Sequence, residues 1–545
     1  MPRSYNLLAV SVVAQANKIA HAKIVFQDGE ASTGSFPIIS EGLFEFGRQL
    51  EIKAGDSEQN TTLFSGVIVG QQVKVNERKS PQLVITCKHQ AVKMTLHKQG
   101  RYFESLSDKD VIEEVFSQHG IQTEIDILEE FYHEQLIQYD ETDWDYCLSR
   151  LTASGLVLFT QGDKLVIKPP AVNDQPKLTL EYGATLLSAD LSTDARSQKS
   201  PIEAMKWESE NQAIAFRTGR NEFGEQPGNY STSTLADSLG GDMSYIRKPA
   251  TSDSELQQLA SAHTTYNAVN RVSGTLKTIG VSDVMPGDIV NLMGLSQAFN
   301  GHSLVTGIRH ELDTVSGWRT YFQVGGIELP EDTSNQISSG LQIGKVVDIE
   351  DPENEYRVKV KLPMLDETTD GIWVRIASLD AGPDRGFFVR PEIDDEVVLS
   401  FLQNDSRQGV ILGMLHSSAH PATESPQPEN NIKTWVTRSG QSITFDEEKV
   451  AISLATPNGN KLDISEDESG ILLTDENGNS YGMTPSGIEI NSASDLSINA
   501  DGNVMIKAGI NLTMESASNL QVKGAMTTVE SGAVTTIKGS LVKIN

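Results

Sequence analysis

The sequence predicts a mainly β chain: strand-rich, barrel-like regions holding a few helices, then a small OB-type barrel, then a C-terminal β-prism shared by three copies. Three observations predict it. Near the C-terminus, apolar pairs with one residue between them recur every eight positions: Ile488/Ile490, Leu496/Ile498, Val504/Ile506, Leu512/Met514 and Leu520/Val522. Five or six short strand-like runs crowd into residues 341–415. Upstream, β-type alternation is interrupted by only three clearly capped helical stretches.

The octads decide the architecture of the C-terminal region. A gap of two is the strand period, so each pair points to one side of a short strand. Ser, Asn, Asp, Gly and Thr fill the intervals, as in Asn499-Ala-Asp-Gly-Asn503, and supply turn chemistry. At about 3.3 Å per residue, eight extended residues cover roughly 26 Å, one wall rather than a full coil. A β-helix made by one chain needs a coil of about 20 residues or more. Each octad therefore offers two apolar side chains and a single dry face, which matching walls from other copies would cover. A triple-stranded β-helix, a trimeric prism with these ten residues inside, follows. The spacing continues, slipped in phase, through Met526, Val534 and Val542. A single-chain solenoid with three octads per coil is the alternative.

Composition narrows the function. A chain of 545 residues has room for three or four domains. A formal net charge of −30 argues against nucleic acid or an anionic membrane surface as the main partner. Two cysteines, Cys87 and Cys147, make neither a disulfide framework nor a zinc motif, and read as buried thiols. No apolar run approaches the roughly 20 residues of a membrane helix. Leu7–Val13 lacks a cleavage site and reads as a first strand, so the expectation is synthesis in the bacterial cytoplasm without a signal peptide.

Residues 1–95 read as a first strand region, 96–175 as a mixed connector and 176–330 as a second strand region. Helices are expected after Ser107-Asp-Lys-Asp110, after Thr142-Asp-Trp-Asp145 and after Ser252-Asp-Ser-Glu255. Each start places an acceptor or acid three residues from a Ser or Thr. Trp144, Leu148 and Leu151 share one face of the second helix, and Leu256, Leu259, His263 and Tyr266 one face of the third. Residues 331–340 and 416–432 read as linkers. Between them, the block 341–415 suits a Greek-key OB barrel, with strands that include Gly386–Arg390. That block has 8 Lys and Arg against 15 Asp and Glu, so oligonucleotide binding is not expected of it. Residues 433–545 form the predicted needle.

This order of parts resembles the VgrG-like spike proteins of contractile injection systems, related to phage tail hubs and spikes. The matching residues are Gln138-Tyr-Asp-Glu-Thr-Asp-Trp-Asp-Tyr-Cys-Leu-Ser-Arg-Leu151, Phe299-Asn-Gly-His-Ser-Leu-Val-Thr-Gly-Ile-Arg-His310 and, in the barrel, Tyr356-Arg-Val-Lys-Val-Lys361. Gly371-Ile-Trp-Val-Arg375, Arg390-Pro-Glu-Ile-Asp-Asp-Glu-Val-Val398 and Gln408-Gly-Val-Ile-Leu-Gly-Met-Leu415 continue the match, which the octads complete. The resemblance implies a homotrimer with a hub of two β-barrel-like domains in residues 1–330, an OB collar and a β-helix needle. It also implies a tube-protein ring and baseplate proteins at the hub end. At the other end it implies a PAAR-type tip protein or effectors on Leu541, Val542, Ile544 and Asn545. A target cell envelope would be met transiently, outside the producing cell. Residues 416–432 are too short for the lysozyme domain of phage relatives, and no toxin domain is expected after Asn545. Both a type VI spike and an extracellular phage-tail-like particle fit; the Thr142-Asp-Trp-Asp variant and modest length favour the second.

No catalytic residue, cofactor or metal ligand is expected. His416 and His420 are four apart but flank Ser417-Ser-Ala and precede Pro421, a linker rather than a helix. Arg309-His-Glu-Leu312 and His133-Glu134 lack the second histidine of a zincin motif. Glu466-Asp-Glu468 and Asp475-Glu476 have glycosidase-type chemistry but fall at turns. The rival class is a tailspike-like β-helix that binds or cleaves glycans, which needs an aromatic-lined groove. Residues 485–545 hold no Trp, Tyr or Phe.

Overall fold

Period-two burial organises the N-terminal region from its first strands. In His21–Gln27, Ala22, Ile24 and Phe26 are buried while Lys23 and Gln27 are exposed. The computed structural model describes residues 5–544 except 56–59, 128–130, 173, 225, 242–243, 249–250, 329–339 and 366–369. The linker expected at 331–340 therefore lies almost wholly outside the described residues. The chain forms two units, Met1–Ser417 and Ser418–Asn545.

In the first unit, strands from both predicted strand regions join one 11-stranded sheet. The seam is the antiparallel pair Asn6–Gln15 with Gly301–Asp313, where Val12 lies opposite His310. Helices α1 (Pro37–Ser40), α2 (Asp108–Gln118), α3 (Asp143–Ala153), α4 (Thr232–Ser238) and α5 (Asp253–Val269) interrupt the strands.

The caps set the helix starts. The Ser107 hydroxyl accepts from Asp110 N at 3.2 Å, and the Asp110 carboxylate accepts from Ser107 N at 3.1 Å, a reciprocal box. Thr142 accepts from Asp145 N at 3.2 Å, and Ser252 from Glu255 N at 3.1 Å. Gly120 and Gly155, at φ of 69° and 72°, end α2 and α3 in the left-handed conformation that lets Ile121 and Leu156 bond back to Phe116 and Leu151. Val111, Val115 and Phe116 of α2 then pack with Trp144, Cys147 and Leu151 of α3. Each such side chain contributes about 1.5–3 kcal/mol by leaving water. The expected face of α5 holds for Leu256, Leu259 and Tyr266, whereas His263 is only half-buried. Both cysteines are free, buried thiols, and burial pushes the Cys87 thiol up to about 11.

Strands Gln342–Asp348, Val358–Lys361, Ile372–Ile376, Glu396–Phe401 and Gly409–Met414 close into a five-stranded barrel. Alternate residues such as Val358, Val360, Ile372, Val374, Val397 and Leu399 fill it. Closure comes from a parallel pair, with Arg375 opposite Val410. The strand expected at Gly386–Arg390 is not one of its staves. Only Arg385–Gly386 pairs, with Ala381–Gly382, in a two-rung hairpin beside the barrel; Pro391 follows Arg390 and offers no ladder N–H.

The second unit departs from the expected octad β-helix over its first half. Residues Ile432–Asn491 make a seven-stranded antiparallel meander, each strand five residues long. Three of its turns repeat one design. Gly440, Gly459 and Gly478 sit at φ of 82°, 99° and 89°, and Thr437 N, Thr456 N and Asp475 N each bond to the carbonyl four residues on. This is the three-residue hairpin loop in which glycine takes the left-handed position. From Ile443 to Met483 the apolar pairs recur every nine or ten residues, and the last step, to Ile488/Ile490, is seven, each enough for a five-residue strand and a reversing turn. Among the described residues, 492–544 form no strand and no ladder within the chain.

Candidate functional site

The meander builds a continuous apolar face. In a five-residue strand, the second and fourth side chains point the same way. Here those positions are Ile443/Phe445, Ile452/Leu454, Leu462/Ile464, Ile471/Leu473, Tyr481/Met483 and Ile488/Ile490. The register stacks them into two ladders. One runs Trp435, Ile443, Leu454, Leu462, Leu473, Tyr481, Ile490 across successive strands. The other runs Phe445, Ile452, Ile464, Ile471, Met483, Ile488.

This face is uncovered. Trp435 is 47% exposed and Leu473 50%, while in Ala451–Ala455 the small and polar positions Ala451, Ser453 and Ala455 are the half-buried ones. The opposite face carries polar pairing instead: Ser453 donates to Asp463 at 2.7 Å, and Thr434 and Thr444 share a 2.9 Å hydrogen bond. An apolar patch of this extent marks an interaction surface. Leu496, the first octad residue after the sheet, lines the same groove as Trp435, Leu454 and Leu473.

The sequence-predicted residues fall as follows. Ile488 and Ile490 lie on the last meander strand and join the ladders. Leu496, Ile498, Val504, Ile506, Leu512, Met514, Leu520 and Val522 are all exposed in the single chain, Val504 at 59%. Leu541, Val542 and Ile544 are exposed too; Asn545 lies outside the described residues. Sequence reasoning missed the ladder residues from Trp435 to Met483. Their signal was present: the same one-residue-apart pairs, at nine or ten residues instead of eight.

It also passed over a buried ionic cluster in the first unit. Arg150 Nε lies 2.7 Å from Asp108 Oδ1, His133 Nε2 3.1 Å from the same atom, and the Ser154 hydroxyl donates to Asp108 Oδ2 at 2.5 Å. Burial alone would raise the Asp108 carboxyl; the Arg150 guanidinium and the His133 hydrogen bond outweigh it and hold the group well below the carboxylate range. Glu255 of α5 receives Arg407 of the barrel at 3.1 Å, and Arg407 also holds Asp405 at 2.8 Å. The cluster ties the barrel to the helical core through desolvated charge.

The turn acids behave as turn acids. Asp475 accepts from the Asn479 side chain, Asn479 N and Asn477 N, and these bonds lower its carboxyl to about 2. Among the described residues, no three His, Cys, Asp or Glu side chains converge as a metal site. No helix among them is long and apolar enough to cross a membrane, which says nothing of β-barrels.

Residues 1–314, more than half the chain, match the family described as the Alg8 N-terminal domain. The chain belongs to that family. Within this Alg8 N-terminal-domain member, residues 342–416 match a second family, the type VI secretion system/phage-baseplate injector OB domain, on the closed barrel. Among solved structures, the half-lidded Francisella PdpA–VgrG complex is similar over 89% of this chain and 84% of its own, at 9% identity and a TM-score of 0.55. The lidless PdpA–VgrG complex covers 89% and 94%, at 9% identity and a TM-score of 0.54. At such identity the likeness is one of fold. The fold is that of a VgrG-like spike, mainly β with an OB-type barrel, as the sequence resemblance implies.

Proposed function

We propose that the protein is the homotrimeric central spike of a contractile injection apparatus, a structural component without catalytic activity. Residues 1–330 serve as the hub on a tube-protein ring and baseplate, 341–415 as the collar and 433–545 as the needle that enters a target envelope. The observation that carries this reading is the uncovered apolar face of Ile432–Asn491 running into the octads. One copy leaves that face wet, and three copies around an axis bury it three times over. Moving a half-exposed Leu, Ile or Phe into such an interior is worth on the order of 1 kcal/mol each, so a dozen per chain provide a strong drive to associate.

In a prism, the octad backbone finds its ladder partners in neighbouring chains, leaving free edges only at the ends. The apolar Leu541, Val542 and Ile544 then face a tip protein of the PAAR type or an effector. The matched OB family and the VgrG fold support the setting, and the PdpA bound to VgrG in Francisella is a precedent for a protein associated with such a spike. The particle would be assembled inside the producing cell and act outside it.

Replacing Leu496, Val504 and Leu512 together by aspartate tests the inward assignment. Limited proteolysis of the full chain should leave residues downstream of about 490 resistant in the parent and degraded in the variant. The unit Met1–Ser417 should keep its resistance in both. A variant that retains a resistant C-terminal segment contradicts the assignment.

A further inference from the structure

A cleft of about 630 Å³ opens in the first unit between the start of the strand Tyr132–Thr142, the strand Ile202–Glu208, the N-terminus of α5 and the barrel strand Ile372–Ile376. Four aromatic side chains line it, Phe131, Tyr132, Trp207 and Trp373, and they include two of the five tryptophans in the chain. Trp207 and Tyr132 are exposed, at 45% and 67%. Six glutamates line the cleft against four lysines and arginines.

Three of the four cations are already engaged, and the fourth, Arg375, is exposed with no ion pair among the described residues. Lys206 lies 2.8 Å from Asp253, Arg357 2.8 Å from both Asp351 and Glu353, and Arg407 3.1 Å from Glu255. Arg357 is moreover held over the Trp373 ring at 6.0 Å. The exposed glutamates Glu134, Glu210 and Glu355 face the opening with no ion pair recorded among the described residues. The walls thus present aromatic faces beside surplus negative charge. That combination recognises a cation: the ring quadrupole attracts an ammonium or guanidinium, and the carboxylates pair with it.

We infer that this cleft docks a basic, extended peptide segment of a partner protein, with arginine or lysine side chains laid over Trp207 and Tyr132 and paired with Glu134 and Glu355. The inference rests on the spike reading only in that it gives such a partner a reason to be there; the cleft's chemistry stands on the first unit alone. The cleft also meets the aromatic requirement of a glycan site, but the charge surplus selects a cation, and a saccharide has none.

The test uses the full chain and three probes: a decapeptide alternating arginine and glycine, its glutamate counterpart, and an oligosaccharide of four N-acetylglucosamine units. Binding is read by calorimetry and by tryptophan fluorescence. The basic peptide should bind, and raising the salt should weaken it. Trp207→Ala and the pair Glu134→Gln/Glu355→Gln should each weaken it by about tenfold. All three positions are exposed, and unchanged thermal melting checks the fold. Equal binding of the acidic peptide, binding untouched by both variants, or binding of the saccharide alone would each overturn the inference. Mass measured on the same samples separates the two readings, because a trimer that ignores the basic peptide removes the cleft and leaves the spike.

Discussion

Leu454→Asp combined with Leu473→Asp is expected to convert the full-length protein from a trimer to a monomer. Leu454 lies between Ile443 and Leu462 on one ladder, and Leu473 between Leu462 and Tyr481. In a lone chain both side chains are about half exposed, at 41% and 50%, so aspartate there costs the fold little. Inside a three-chain prism each becomes an unpaired buried carboxylate, at several kcal/mol apiece. Three copies of two substitutions add up to on the order of 10–20 kcal/mol against assembly. Thr474→Asp, on the opposite face of the same strand, should leave the trimer intact. Sedimentation of the three proteins side by side is the measurement; a double variant that still sediments with the parent would show that the ladders do not lie at the chain–chain contact.

Asp108→Ala is expected to destabilise the first unit by about 3–5 kcal/mol, because it strands the Arg150 guanidinium in a desolvated site. Asp108 is 4% exposed and is addressed by Arg150, His133 and Ser154 at once. A denaturant midpoint well below that of the parent, with an unchanged slope, is the result to look for. The acid limb supplies a second signature. The folded-state carboxyl sits below its unfolded value, so its contribution is complete above the unfolded value of about 4 and is lost as the pH falls towards the folded one. The parent should therefore lose stability below about pH 4 in part through this group, and the alanine variant should lack that part of the slope. Near-equal midpoints at neutral pH would mean that the site relaxes to hydrate Arg150.

The two predictions address parts of the molecule that the sequence revealed unequally. Helix starts were legible because capping is local: Ser107, Thr142 and Ser252 satisfy backbone donors within their own first turns. The barrel was legible from strand density, except at Gly386–Arg390, where an extended segment without a partner looks like a strand until pairing is known. The C-terminal face was legible only in part. Octads announce themselves by one fixed interval, while Ile443/Phe445 to Tyr481/Met483 alternate between nine and ten because reversing turns differ in length at the two ends of the sheet. The cluster of Asp108, His133, Arg150, Glu255 and Arg407 was not legible at all. Its members are up to 299 positions apart, from Asp108 to Arg407, and each alone reads as a solvated charge or a cap.

The mass of the native full-length protein by light scattering, across a range of concentrations, bears most directly on whether the exposed ladders and octads close against copies of themselves. A particle of three times 59.4 kDa that persists on dilution is the predicted result. A 59.4 kDa particle whose residues 432–544 are nevertheless protected from protease would contradict it, since one chain would then be covering its own apolar face.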